Sequence, residues 1–592
     1  MTAHRLPAVL FLTGLLLLTS ACSQAPAATA QPTAAPQENA PSATATQARE
    51  MPSPTAEASQ SPQPTEGASP VPHARTLVSA RNDWFATAAT CNACHQNLRD
   101  DNGKDISQAE NWRATMMSNA ARDPYYLASV SIEVAVSPEY SDAIQKKCAT
   151  CHMPMAFFSD EHTGALPAIF GDNGYLSPQH PLHDLARDGV SCTACHQIPP
   201  EQAGTEVRKN GGLNIDFSTT SGERTLYGPY PVDEVSVMIM QGGSGFIPAE
   251  SKHIRSSQLC ATCHELYINY IAEDGTIGEG LFPEQTPYAE WLHSEYAEQA
   301  SCQSCHMDRA QGKVPISNLT ADKKHPHFAI HNFHGSNIYM LSILQAFGDE
   351  IGVQATDDNF TALISRTTDM LQQDTAQLHI SPPTAEQGTL TFDVTVKALT
   401  GHKFPTSFPS RRAWLHVTVK DANGTVVFES GQVSSDGKIA GNDNDESPGA
   451  YEPHYDLITS PDQVQIYEDI MQTPSGKVTT LQMKASGYIK DNRLLPAGFD
   501  KASADPYIAV LGKAAEDDDF IGGEDTVTYQ IATGSAPGPF TIEVELLYQS
   551  VSYRWAQDLL AHDTQQTEAF SRYYDAIENT PLVVAAQSTQ SQ

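Results

Sequence analysis

SCTACHQ, residues 191–197, sets two cysteines three positions apart with a histidine directly behind the second. The same unit stands at CNACH 91–95, CATCH 148–152, CATCH 260–264 and CQSCH 302–306. Ten of the 11 cysteines fall in these five units, as Cys91, Cys94, Cys148, Cys151, Cys192, Cys195, Cys260, Cys263, Cys302 and Cys305. Two thiols at that spacing can both add to the vinyl groups of one haem, and the adjoining imidazole is then held under the iron. The reading is five covalent haem c groups, with His95, His152, His196, His264 and His306 as proximal iron ligands. Zinc would need the pairs assembled into closed four-ligand sites, five pairs cannot all be matched as Cys₄, and zinc gives no reason for the histidine. Thioredoxin-like pairs sit at the end of a strand in a βαβ unit, which none of the five contexts resembles.

The motif leaves the far face of each iron open. Outside the motifs, residues 76–350 hold nine more histidines: His162, His180, His183, His253, His293, His325, His327, His331 and His334. The candidate distal ligands among them are His183, His253 and His331, the last from the dense run HPHFAIHNFH. Met116 and Met117, in NWRATMMSNAARDP, read as a helical stretch after the first motif and add thioether candidates, which raise an iron's potential relative to a second imidazole. Packing filler is the other reading of these methionines. Farther on, LTGHKFPTS offers His402, with Gly401 expected to allow an unusual turn. Arg411 and Arg412 follow, and a guanidinium pairs with a carboxylate such as a haem propionate.

Outward from the motifs, the N-terminus opens with His4 and Arg5, an apolar run from Ala8 to Leu18, small residues and Cys22. The run is shorter than the roughly 18 to 20 residues that span a bilayer, so 1–22 reads as an export signal ending in a lipoprotein-type lipidation site at Cys22. Residues 23–75 are Ala, Pro, Thr, Ser and Gln with almost no large apolar side chain, a composition for a disordered tether. Residues 76–335 are then a mostly α and irregular pentahaem cytochrome domain. Ser137 with Pro138, and Thr286 with Pro287, are expected to start the helices that run to the second and fifth motifs. A helical connector over 336–375 follows. Alternating runs such as LTFDVTV, AWLHVTV and FTIEVELLY, with Asn423-Gly424 as a hairpin turn, predict a β-sandwich over 376–556. Residues 557–592 are left as a C-terminal helix and tail. The fold class is α+β multidomain.

The 592 residues carry 35 Lys and Arg against 70 Asp and Glu, a formal charge of −35. That excludes nucleic acid as a partner of the bulk surface, because phosphate recognition needs cationic side chains. Two acidic turns, Asp443–Glu446 and Glu516–Asp519, hold clustered carboxylates of the kind calcium takes. Neither fits a full binding loop, so calcium is the minor expectation beside a solvated acidic face.

The phrases ATMMSNAARDP, DGVSCTACH, SSQLCATCHEL, EQTPYAEWLHSEY, HNFHGSN, TGHKFPTSFPSRRAWLHV and KDNRLLPAGF resemble a family of exported multihaem c-type cytochromes related to the tetrahaem cytochrome partner of hydroxylamine oxidoreductase. The resemblance runs from about residue 80 to 556 and implies low-spin haems in close contact. The CxxCK site of related nitrite reductases is missing from the sequence. The function expected is an electron carrier between membrane-side donors and a periplasmic or extracellular acceptor, held at the cell envelope by its lipid. Its partners are redox proteins or a terminal acceptor. The alternative is an oxidoreductase with one open haem acting on a small nitrogen or sulfur compound, and a third reading is a docking subunit of a respiratory complex.

Overall fold

Each CxxCH unit is carried by one turn of helix. The helices Ala88–Asn92, Ser141–His152, Cys192–Cys195, Ser257–Ala261 and Cys302–His306 contain or lead into the five motifs. Backbone bonds such as His196 N–H to Cys192 O at 3.0 Å and His264 N–H to Cys260 O at 2.9 Å close these turns. Positions i, i+3 and i+4 share one helix face, so both thiols and the imidazole of a motif project the same way.

The computed structural model describes residues 75–201, 203–206 and 209–591. The export signal, Cys22 and the tether as far as residue 74 lie outside the described residues. Arg75, placed at the tether's end in the sequence reading, is docked: its guanidinium donates to Asp349 at 2.9 Å and to the Ala355 carbonyl at 3.1 Å. No helix among the described residues is long and apolar enough to cross a membrane.

Several local expectations are corrected. Ser137 makes no capping bond, and the chain passes through a 3₁₀ turn, Pro138–Tyr140, before Ser141–His152 begins. Thr286 likewise does not cap Pro287–Leu292, which stops short of the fifth motif and is followed by a 3₁₀ turn, Glu295–Glu298. The stretch around Met116 and Met117 is a succession of turns after helix Gln108–Trp112. The firm helix nearby is Pro124–Val136, whose Asp123 side chain accepts from the Tyr125 and Tyr126 amides.

Between the motifs and the sheets lie helices Ile338–Ala346, Gly348–Ile351 and Asp357–Gln373, the last started by a reciprocal cap between Thr356 and Asn359. Two five-stranded sheets follow. In one, Val426–Ser430, Arg412–Lys420, Thr541–Gln549 and Leu582–Gln590 are neighbours in that order, with Ile466–Tyr467 also on Arg412–Lys420. In the other, Leu457–Ile458, Glu524–Ala532, Thr389–Ala398 and Ala376–Ile380 are neighbours, with Thr384–Glu386 also on Thr389–Ala398. Every second residue of Thr389–Ala398 is buried, and Phe392, Val394 and Val396 share one core with Val417, Ile542 and Val544 of the first sheet. Each such side chain contributes about 1.5–3 kcal/mol by leaving water. Asn423 and Gly424 form the turn between Arg412–Lys420 and Val426–Ser430, where Gly424 has φ +79°.

The stretch 557–592, expected as helix and tail, ends differently. After helices Tyr553–Leu560 and Gln565–Ala576, the strand Leu582–Gln590 returns to pair with Thr541–Gln549. Helix Gln565–Ala576 meanwhile lies against Pro124–Val136, with Phe570 and Tyr125 rings 5.5 Å apart.

Candidate functional site

All five motifs open into one continuous cavity of about 1400 Å³. Their ten cysteines are unpaired by disulfides. Four proximal imidazoles are oriented the same way, each donating Nδ1–H to a backbone carbonyl: His95 to Ile316 at 2.5 Å, His152 to Ala120 at 3.0 Å, His196 to Tyr227 at 2.6 Å and His306 to His334 at 2.8 Å. An Nδ1–H so held leaves Nε2 as the ligating nitrogen and raises its basicity. Among the described residues His264 has no such acceptor. Burial lowers the pKa of all five, to about 4 for His152 and His306, so the imidazoles are neutral at pH 7, the form that binds a metal.

Two further imidazoles face this set. His196 and His331 have ring centres 6.3 Å apart with planes 20° from parallel, and His306 and His402 are 6.1 Å apart and 5° from parallel. Metal–imidazole bonds of about 2.0 Å place two axial imidazole centres roughly 6 Å apart. His331 is held neutral, its pKa pushed to about 3 by burial and then by His196. His402 engages its Nδ1 with the Lys403 carbonyl at 2.9 Å. His334 also lies 6.1 Å from His306, but its Nδ1 meets the Met370 sulfur at 3.2 Å and its Nε2 stands 3.4 Å from Asp308. Its service to His306 is the carbonyl.

Met116, Met117, His325 and His327 also line the cavity, whereas His183 and His253 do not. His183 bonds the Tyr175 carbonyl at 2.8 Å. His253 has both ring nitrogens engaged, with Ser251 Oγ at 2.7 Å and the Ile198 carbonyl at 2.8 Å.

Lys147, Arg255, Arg309, Lys323, Arg366 and Arg411 line the cavity beside Asp123, Asp233, Glu284, Asp308 and Asp374. Lys323 and Arg366 are paired with Asp233 and Asp308, and Lys147, Arg255, Arg309 and Arg411 are the cations suited to propionates. Arg412 is not among them. It is buried at 1% exposure and bonds Asp445 at 2.8 Å and Gln549 at 3.0 Å, which also explains the acidic turn Asp443–Glu446 as half of an internal ion pair. Gly401 is likewise corrected: its φ is not positive, and a side chain there would meet Tyr296 at 3.4 Å.

Thiols of different motifs lie close enough to influence one another. Cys91 interacts with Cys192, Cys151 with Cys263, and Cys260 with Cys302, and Cys195 is felt by both Cys260 and Cys263. The unit at 260–264 therefore neighbours those at 148–152, 192–196 and 302–306, and the unit at 91–95 joins through 192–196. Among the described residues no group of metal-ligand atoms large enough for a zinc site includes a cysteine. The donor set fits haem c.

The loop that presents His402 is fixed by a buried network not read from the sequence. Glu290, from helix Pro287–Leu292, accepts from the Lys403 amide at 3.2 Å and Thr406 Oγ1 at 2.5 Å. Arg493 pairs with Glu290 at 2.9 Å and with Asp491 at 2.8 Å, and Lys403 pairs with Asp491 at 2.7 Å. Burial works against the Asp491 charge, but Arg493 and Lys403 hold its pKa down to about 2. Both stretches involved, EQTPYAEW and KDNRLLPAGF, were visible as phrases, and their buried charges were the available signal.

No family model matches the chain, and no curated protein matches it. Among solved structures the chain is similar to a penta-haem cytochrome c552 from Thermochromatium tepidum, at 15% identity over 85% of this chain and 98% of that one, with a TM-score of 0.45. That likeness is too distant to assign chemistry.

Proposed function

We propose that the chain is an exported, lipid-anchored pentahaem c-type cytochrome that carries electrons between membrane-side donors and a periplasmic or extracellular acceptor. The observation that supports it most is the opening of all five CxxCH units into one cavity. Haem supplies an iron that cycles between ferric and ferrous states. The chain's residues do the rest. Cysteines hold each group in place, and backbone carbonyls fix proximal tautomers. His331 and His402 face His196 and His306, and Lys147, Arg255, Arg309 and Arg411 would meet the propionates. Where two imidazoles face each other, as His196 with His331 and His306 with His402, an iron held between them would have no position left for substrate and would serve as a relay. The His402 loop, from the strand-rich half read as a sandwich, lines the cavity on one side.

Intact-mass measurement on protein extracted from membranes tests this together with a count of high-spin irons. Five covalent haems, an acylated Cys22 and little carbon monoxide uptake on reduction are expected. Three or fewer haems from a host with haem-attachment machinery would sink the assignment. A full equivalent of tightly bound carbon monoxide would turn it to the oxidoreductase with one open haem.

A further inference from the structure

The short strand Leu457–Ile458 lies parallel to Glu524–Ala532, with Leu457 opposite Thr528, so Asp456 comes beside the loop that carries Asp517 and Asp519. One carboxylate oxygen from each of Asp456, Asp517 and Asp519 lies within 4.8 Å of the others, and the same holds for Asp517, Asp525 and a nitrogen of His454. Asp517 is common to both groups, so three other carboxylates, Asp456, Asp519 and Asp525, stand near it. Asp525 is fully buried, at 0% exposure. Its Oδ2 accepts from Tyr467 Oη at 2.6 Å and Gln465 Nε2 at 3.2 Å, but its Oδ1 has no hydrogen-bond partner and stands 3.7 Å from His454 Nε2, on the side of the cluster. A buried carboxylate oxygen without a donor is costly unless a cation meets it.

His454 decides the ligand chemistry. Gln465 Nε2 and Asn492 Nδ2 both donate to its Nδ1, at 2.8 and 3.0 Å. Neither amide can be turned, because Gln465 Oε1 accepts from the Tyr455 amide and Asn492 Oδ1 from the Glu468 amide. Nδ1 is therefore an acceptor and the ring proton sits on Nε2, which donates to Asp517 Oδ2 at 3.0 Å. The imidazole braces the cluster and does not ligate, so every available ligand is oxygen. Asp517 Oδ1 is partly taken by the Asp519 and Phe520 amides. Of the nearby cations, Lys501 donates to the Asp517 and Ala514 carbonyls and Lys513 pairs with Glu516 at 3.0 Å. The carboxylates keep their mutual repulsion, and burial together with Asp517 and Asp525 raises the Asp519 pKa to about 6.

We propose that Asp456, Asp517, Asp519 and Asp525 form a calcium site. Hard divalent cations take oxygen ligands, and calcium accepts the six to eight ligands at flexible geometry that this mixture of carboxylates and water would give. Asp456 and Asp519 are exposed, which provides the entry. The site is separate from the haem cavity and stands whether or not the cytochrome reading does.

Calorimetric titration of chelator-treated full-length holoprotein with calcium chloride, with thermal unfolding alongside, tests it. One calcium per chain and a melting temperature that climbs with calcium are expected, with magnesium weaker because it gives up water reluctantly. D519N and D456N should each weaken calcium binding by about tenfold or more, given that even an outer partner of a metal site is worth about 10–100-fold. D518N, at an exposed neighbour, should bind as the wild type does, and the haem spectrum of each variant reports folding. No calcium uptake by the wild type, unchanged affinity in D519N and D456N, or tighter magnesium binding would each overturn the proposal.

Discussion

His402 is where the two halves meet through a single side chain. It comes from the strand-rich half, yet its ring lies parallel to that of His306 at 6.1 Å. If both imidazoles hold one iron, removing His402 frees one face of one haem and touches no other motif. His402→Ala should convert one of five haems from low-spin to high-spin and make it reactive to carbon monoxide, measured by magnetic circular dichroism on the reduced and oxidised protein. An unchanged low-spin count would leave the loop as packing alone. At this scale the cysteines and their following histidines were readable because one covalent reaction ties their spacing to their chemistry. A distal ligand obeys no spacing, since it reaches the iron from anywhere in the chain. His253 shows the difficulty: a serine two residues away and a carbonyl 55 residues away take up both ring nitrogens, and only the second depends on the fold. The carbonyls of Ile316, Ala120 and Tyr227 were unreadable for a simpler reason, as any residue supplies one.

The element behind His402 is the segment 399–407, and its rigidity is electrostatic. Glu290 receives the Lys403 amide and Thr406 hydroxyl on one oxygen and Arg493 on the other, while Asp491 joins Arg493 to Lys403. Breaking a buried ion pair from one side costs about 3–5 kcal/mol, because the partner is left charged and dry. Arg493→Met should therefore lower unfolding free energy by about that amount in denaturant titration, and should partly reproduce the spin change of His402→Ala. A stability loss with an intact low-spin count would separate the network from the ligand. Period-two strands such as Thr389–Ala398 could be read directly, since one buried face writes itself into alternate residues. Leu582–Gln590 could not. It is a sheet-edge strand with one fully buried residue, Val584, and its sequence LVVAAQSTQ carries little alternation. Helix starts misled where proline marked a 3₁₀ turn, as at Pro138, because the same backbone angle opens both.

Across the whole molecule the motifs do not follow chain order. Electrostatic influence between thiols runs from the unit at 91–95 to 192–196, on to 260–264, and from there to both 148–152 and 302–306. No residue spacing encodes such an order, which depends on how helices of 4 to 12 residues fold back over one another. On the cytochrome reading the unit at 260–264 is a junction, and among the described residues its proximal histidine is also the one without a carbonyl acceptor. Electron transfer slows steeply with the gap between neighbouring cofactors, so losing the junction and losing an end should differ in kind. Replacing Cys260 and Cys263 by serine should leave four covalent haems by mass while cutting the units at 91–95 and 192–196 off from the other two. Replacing Cys91 and Cys94 by serine also leaves four haems, but as one connected set. After a flash that injects less than one electron per protein, the first variant should redistribute that electron between its haems far more slowly than the wild type, and the second at close to the wild-type rate. Equal rates in the two variants, with haem content and circular dichroism matched, would mean that the cavity offers another route past the junction.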